Sequence, residues 1–182
     1  MSQIAVAEDT TITTTTANSS LVSVSVFDLL LIELIPLAER MAIEYEASLD
    51  RPSARLDALG YRVGLGLSER FSRDRPRFVD HLDVIKFLCK DLWTVVWKKQ
   101  IDNLKTNHRG VFVLTDAKFR PLSRMSMAGS AEAVARAQVH LIFPCGIIRG
   151  VLSSLGIQAS VQAETTELPT ATFQIKTSGA KG

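Results

Sequence analysis

The sequence predicts an α+β domain in which helices pack on one side of a small antiparallel sheet. Three observations carry this. Apolar residues recur at helical spacing through residues 26–106 and again through 131–155. Two stretches, 111–125 and 157–175, alternate apolar and polar residues and read as hairpins. The 182 residues are 46% apolar and 22% charged, ordinary globular usage. A chain of this length removes roughly 70% of its unfolded surface from water, so its core needs neither disulfide nor metal.

Residues 1–20 are rich in Thr and Ser, offset little ordering entropy and read as a tail. The domain is expected over 21–177, with a short tail at 178–182. The first helix spans 26–47. Ser25 is its expected N-cap, with Asp28 completing a weak capping box, and Pro36 should kink it. Fourteen of the twenty residues from 26 to 45 are apolar. That exceeds the stripe of a helix resting on one core, so this helix should be covered on two sides. It also gives an address to a mean hydropathy of +0.14, high for a chain with 21 basic and 19 acidic residues.

A linker at 49–53 leads to a second helix, capped by Ser53 and running to Ser72. Gly60 and Gly64 share one of its faces, which suits close approach of another backbone. Residues 78–106 read as the longest helix, on Leu82, Ile85, Cys89, Leu92 and Val96. Lys105 and Arg109 would complement its C-terminal dipole, and Gly110 would end it. Strands 111–115 and 119–125 flank a turn at Asp116-Ala117-Lys118. A helix from Ala131 should break at Pro144 and resume to Leu155. Strands at 157–164 and 171–175 close the order.

Sites of chemistry are sparse. His81, His108 and His140 make no ligand spacing with each other or with a cysteine, so no metal is expected. Gly64-Leu65-Gly66 lacks the third glycine and the preceding strand of a dinucleotide fingerprint. No P-loop and no nucleophile elbow occurs, and no cofactor is expected. Cys89 and Cys145 lie in apolar runs and read as buried thiols of a reducing compartment, the cytoplasm. Trp93 and Trp97, four apart, read as core with a packed rim rather than as a base-stacking pair. Arg70, Arg73, Arg75 and Arg77 read as a solvated turn rather than a lipid site. A net charge of +2 gives no footprint for nucleic acid. No apolar run reaches membrane-spanning length.

The stretch 83–116, DVIKFLCKDLWTVVWKKQIDNLKTNHRGVFVLTD, resembles the small TRAPP subunits of the Bet-three superfamily. KFLCKDLW and DNLKTNHRG are most similar to its thirty-three-kilodalton branch. LGYRVGLGLSERF and FPCGIIRGVLSSLGI resemble the family's second helix and the helix before its last hairpin. The resemblance implies an α/β plait of helices against a four-stranded antiparallel sheet. It implies a non-catalytic scaffold subunit of a vesicle-tethering complex. As a whole, that complex exchanges guanine nucleotide on a Rab-family GTPase in ER-to-Golgi traffic and autophagy. It also implies a heterodimer with the Bet-three subunit through the first two helices, and peripheral association with ER and Golgi membranes through the complex. The acylated cysteine of the Bet-three subunit has no counterpart in FSRDRPRF. The expected partner interface is Leu30, Leu34, Leu37, Met41, Tyr45, Leu59, Val63 and Leu67. A different reading is a small lipid- or acyl-binding module with a pocket between helices and sheet.

Overall fold

The computed structural model describes residues 23–44, 51–107, 109–125 and 130–178. The first tail, residues 179–182, Tyr45 and His108 lie outside the described residues. The expected class holds: helices pack against a four-stranded antiparallel sheet of order β1-β2-β4-β3.

Helix α1 (Val24–Glu44) begins earlier than expected and continues through Pro36. Ser23 rather than Ser25 serves its start. The Ser23 Oγ accepts from the Ser25 N–H at 3.3 Å, and its carbonyl accepts from the Val26 N–H at 3.1 Å. Asp28 therefore lies inside the helix, and its carboxylate turns to Arg120 instead of capping. Helix α2 (Pro52–Ser72) opens on a proline, which needs no N–H in the first turn. Arg51 holds the cap position without a side-chain bond, so Ser53 falls inside the helix.

The third helical segment is α3 (His81–Phe87), a π-helical turn (Leu88–Leu92) and α4 (Trp93–Trp97), run together. Asp80 caps it by accepting from the Asp83 N–H at 2.7 Å. It stops well short of residue 106, because Lys98 takes a left-handed conformation, φ 64°. Residues beyond it form β1 (Asn103–Thr106), which pairs with β2 (Val111–Asp116). The Asn107 side chain accepts from the N–H groups of Arg109 and Val111 and holds the turn between them. Gly110 has the expected positive φ, but in a hairpin and not at a helix end. Lys105 and Arg109 thus serve no helix dipole.

The expected strand at 119–125 is instead a run of turns. The Phe119 carbonyl accepts from the N–H groups of Leu122 and Ser123. Phe119 and Leu122 are still buried, which explains their strand-like pattern. Helices α5 (Ser130–Val139) and α6 (Ile142–Ser154) break at His140-Leu141 rather than at Pro144. Pro144 sits in the first turn of α6, where a missing N–H leaves no gap. β3 (Ala159–Glu164) and β4 (Ala171–Thr177) complete the sheet.

Register places Phe112 and Leu114 beside Ile175 and Phe173 on the inner face. Trp93 lies 5.3 Å from the Phe173 ring, and Trp97 lies 4.9 Å from Phe119. Both tryptophans are buried, so both are core. The Trp93 Nε1–H donates to Asp116 Oδ2 at 2.9 Å. Lys99 Nζ donates to Asp116 Oδ1 at 2.6 Å, which neutralises a carboxylate with no exposed surface.

Helices α2 and α6 touch backbone to backbone and run in the same direction. A Cβ on Gly60 would overlap the Phe143 carbonyl oxygen, and one on Gly64 the Ile147 carbonyl oxygen. In return, Gly146 and Gly150 face the carbonyls of Asp57 and Tyr61. The close approach expected of Gly60 and Gly64 is this contact. Around it, the Tyr61 hydroxyl donates to Ser153 Oγ at 2.9 Å, and Arg149 pairs with Asp57. Because the obstructing atoms are backbone, Gly64→Ala forces the helices apart. A loss of about 1–3 kcal/mol is expected, read as a lower denaturant midpoint at unchanged slope.

Candidate functional site

Helix α1 lies on the outside of the domain. Its inner face carries Phe27, Leu31, Leu34 and Ala38. The Phe27 ring sits 5.9 Å from Trp97, and Ala38 is buried. Leu31, Leu34 and Ile35 line a narrow cleft with Leu56, Trp97 and Phe143. That cleft holds about 10 Å³, roughly the space of one water.

The rest of α1 is also largely apolar, interrupted by the exposed Arg40–Glu33 ion pair. Val24, Val26, Leu29, Leu30, Ile32, Leu37, Met41 and Ile43 are exposed. Leu30 keeps 60% of its surface and Ile43 78%. At its N-terminal end this surface deepens into a groove of about 430 Å³. Val24, Val26, Phe27 and Leu30 of α1 face Val63 and Leu67 of α2 across it, with Val95, Val96, Phe143 and Ile147 at its base and Lys98 beside it.

Of the expected interface residues, Leu30, Val63 and Leu67 meet in this groove. Leu37 and Met41 are exposed farther along α1. Leu59 is half-buried on α2, one turn before Val63. Leu34 points into the inner cleft. Leu29, Ile32 and Ile43 lie outside the expected set, yet they are among the most exposed apolar residues. Their signal was the apolar excess of residues 26–45. That excess shows that two faces are apolar. It does not say which face meets α2.

One polar link orients α1. Asp28 accepts from Arg120 Nε at 2.7 Å and from Arg120 Nη2 at 2.9 Å, and Arg124 lies 3.4 Å away. This two-point bond fixes both the height and the rotation of the helix. The Arg120 hydrogen bonds hold the Asp28 pKa below the usual carboxylate value, against the opposing effect of burial. A carboxylate whose pKa is depressed in the folded state stabilises it fully above the unfolded pKa of about 4, and loses that contribution as pH falls through the folded value. Asp28→Asn is expected to cost about 2 kcal/mol at pH 7. It should also flatten the fall in melting temperature below about pH 4. Thermal melts of both proteins from pH 2 to 7 check this.

The remaining groups offer little for catalysis. Cys89 is buried as expected, whereas Cys145 is half-buried at the edge of a groove. Burial pushes the Cys89 thiol up to about 12, and burial with the nearby Asp57 carboxylate does the same for Cys145, so neither is a ready nucleophile. Burial lowers the pKa of His140 at the α5–α6 break. Among the described residues no group of three or more His, Cys, Asp or Glu side chains could hold a metal ion. Of the four turn arginines, Arg75 pairs with Asp91 at 2.9 Å and lies over the Phe87 ring. An open groove of about 1160 Å³ runs beside β3, past Asp57, Gln138, Cys145 and Gln174. Of its two carboxylates, Asp57 pairs with Arg149, and Glu164 stands at the end of β3. On the other reading an apolar pocket lies between helices and sheet. The α4 side of that space is filled by Trp93, Trp97, Phe119 and Phe173, and the groove beside β3 is lined by polar side chains such as Asp57, Gln138, Gln162, Glu164 and Gln174 as well as apolar ones. No helix among the described residues is long and apolar enough to cross a membrane. What the structure offers is a surface for contact.

Residues 27–178 match the family model described as transport protein particle (TRAPP) component. Human trafficking protein particle complex subunit 6B is 48% identical over 151 residues, covering 83% of this chain and 94% of that protein. Human subunit 6A is 45% identical over 120 residues, covering 66% of this chain and 74% of that protein. Among solved structures, subunit 3 from Naegleria fowleri, covalently bound to palmitic acid, superposes with a TM-score of 0.63 at 15% identity. It covers 84% of this chain and 95% of that one, a likeness of fold.

Proposed function

The chain belongs to the transport protein particle (TRAPP) component family, and from that premise we propose that it is a non-catalytic scaffold subunit of a TRAPP vesicle-tethering complex. It pairs with a Bet-three-type subunit through α1 and α2. Within the assembled complex it supports guanine-nucleotide exchange on a Rab-family GTPase in ER-to-Golgi traffic and autophagy. It reaches ER and Golgi membranes from the cytoplasm through its partners.

The observation that carries this reading is the outer face of α1. Covering one exposed Leu, Ile or Val side chain completely is worth about 1.5–3 kcal/mol. Several such side chains line one helix here. The reward for covering them is large even after the cost of association. Three of the carboxylates are engaged in structure: Asp116 with Lys99 and Trp93, Asp57 with Arg149, Asp28 with Arg120.

Mixing the purified chain with a Bet-three-type subunit should give a 1:1 complex by size-exclusion chromatography with light scattering. Leu30→Glu should weaken it at least ten-fold and leave the melting temperature of the isolated chain unchanged, because Leu30 is exposed. A wild-type chain that stays apart from the subunit, or an unaffected Leu30→Glu, contradicts the pairing. The chain alone should not accelerate nucleotide release from a Rab GTPase in a fluorescent-nucleotide assay. Measurable acceleration contradicts the non-catalytic role.

A further inference from the structure

The second helix holds three glycines, and the domain accounts for two. Gly60 and Gly64 are pressed against the α6 backbone. Gly66 is different. It is exposed in mid-helix, and a Cβ built on it would meet nothing within 4 Å. Glycine is among the poorest helix formers, so an exposed glycine here weakens α2 with no return inside the described chain.

Its place on the helix supplies a reason. Leu59, Val63, Gly66 and Arg70 follow one another at i, i+4, i+7 and i+11 and so share a face. Val63, on that row, also borders the apolar groove shared with α1. We infer that Gly66 is the point where an amphipathic helix of the partner crosses α2 with its backbone in close approach, one of its bulky apolar side chains filling the groove between Leu30 and Val63. This rests on the pairing proposed above and assigns its geometry.

Two features favour a helix of a different protein as the occupant. The first is charge. Arg62 and Arg70 stand one turn to either side of Gly66, both exposed, and Glu69 is the one nearby carboxylate of the helix. A second copy crossing at Gly66 would set arginine against arginine in either direction. A partner helix with carboxylates beside its crossing point complements them. The second is area. Helices α1 and α2 have 21 residues each, so each is about 30 Å long and about 10 Å wide. Side by side they offer on the order of 600 Å², near the roughly 800 Å² that each partner gives to a stable pair. The chain's own residues 1–20 supply only Ile4, Val6 and Ile12 as branched apolar groups, too few for such a face.

The test uses the full chain, the purified Bet-three-type subunit as probe, and three variants. Gly66→Leu should weaken binding at least ten-fold and leave the melting temperature of the isolated chain equal or higher, since the space is open and leucine favours helix. Gly66→Ala should raise that temperature and weaken binding less. Ala54→Leu, exposed in the first turn of α2 more than three turns from Gly66 and on the side that borders the β3 groove, should leave binding unchanged. If Gly66→Leu binds within two-fold of wild type while Leu30→Glu does not bind, the crossing point is wrong and the pairing stands. If wild type itself fails to bind, both fall. A wild-type homodimer that Gly66→Leu disperses overturns the choice of occupant.

Discussion

The contact between α2 and α6 is the constraint on which the rest of the domain depends. Four glycines, two on each helix, remove the side chains that would hold the backbones apart. With no rotamers to adjust, the contact sets one separation and one register. Helix α6 then lies against the sheet through Ile148, Val151 and Leu152, all buried. Helix α2 is thereby fixed relative to the sheet although it lies one layer away from it.

This placement decides what α1 can do. Because one flank of α2 is committed to α6, α1 packs on the other flank, on Trp97 and Phe143, and on the turns at 119–125. Phe27, Leu31 and Leu34 fill the gap above Trp97, and Asp28 locks the rotation through Arg120. Once that face is satisfied, a helix so rich in apolar residues must carry the remainder outward. The exposed surface is therefore the remainder of an apolar helix whose one face is already packed. It is a consequence of the core rather than a local oddity.

Much of this was legible from residues alone. The class, the two-sided first helix and the close approach at Gly60 and Gly64 each rest on a periodic signal that survives without coordinates. The errors have physical causes. The four residues of β1 are too few to show alternation, and they follow a long helical pattern that extends through them in sequence. Phe119 and Leu122 are buried at spacing that mimics a strand, although turns carry them. Pro144 carries the signal of a helix break, but it sits in the first turn of α6, where proline is harmless. The site was half legible. Composition showed that α1 had two apolar faces, but separating Leu34, turned inward, from Leu29 and Ile32, turned outward, needs the position of α2. Gly66 looks like its neighbours in sequence, and only the α6 contact sets it apart.

The central claim is that the outer surface of α1 and α2 is covered in the working assembly. Hydrogen–deuterium exchange of the chain, alone and with a Bet-three-type subunit, tests it most directly. The account predicts slowed exchange across α1 and the Leu59–Arg70 side of α2, with β1 to β4 unchanged. Protection confined to the sheet, or none at saturating subunit, would contradict it.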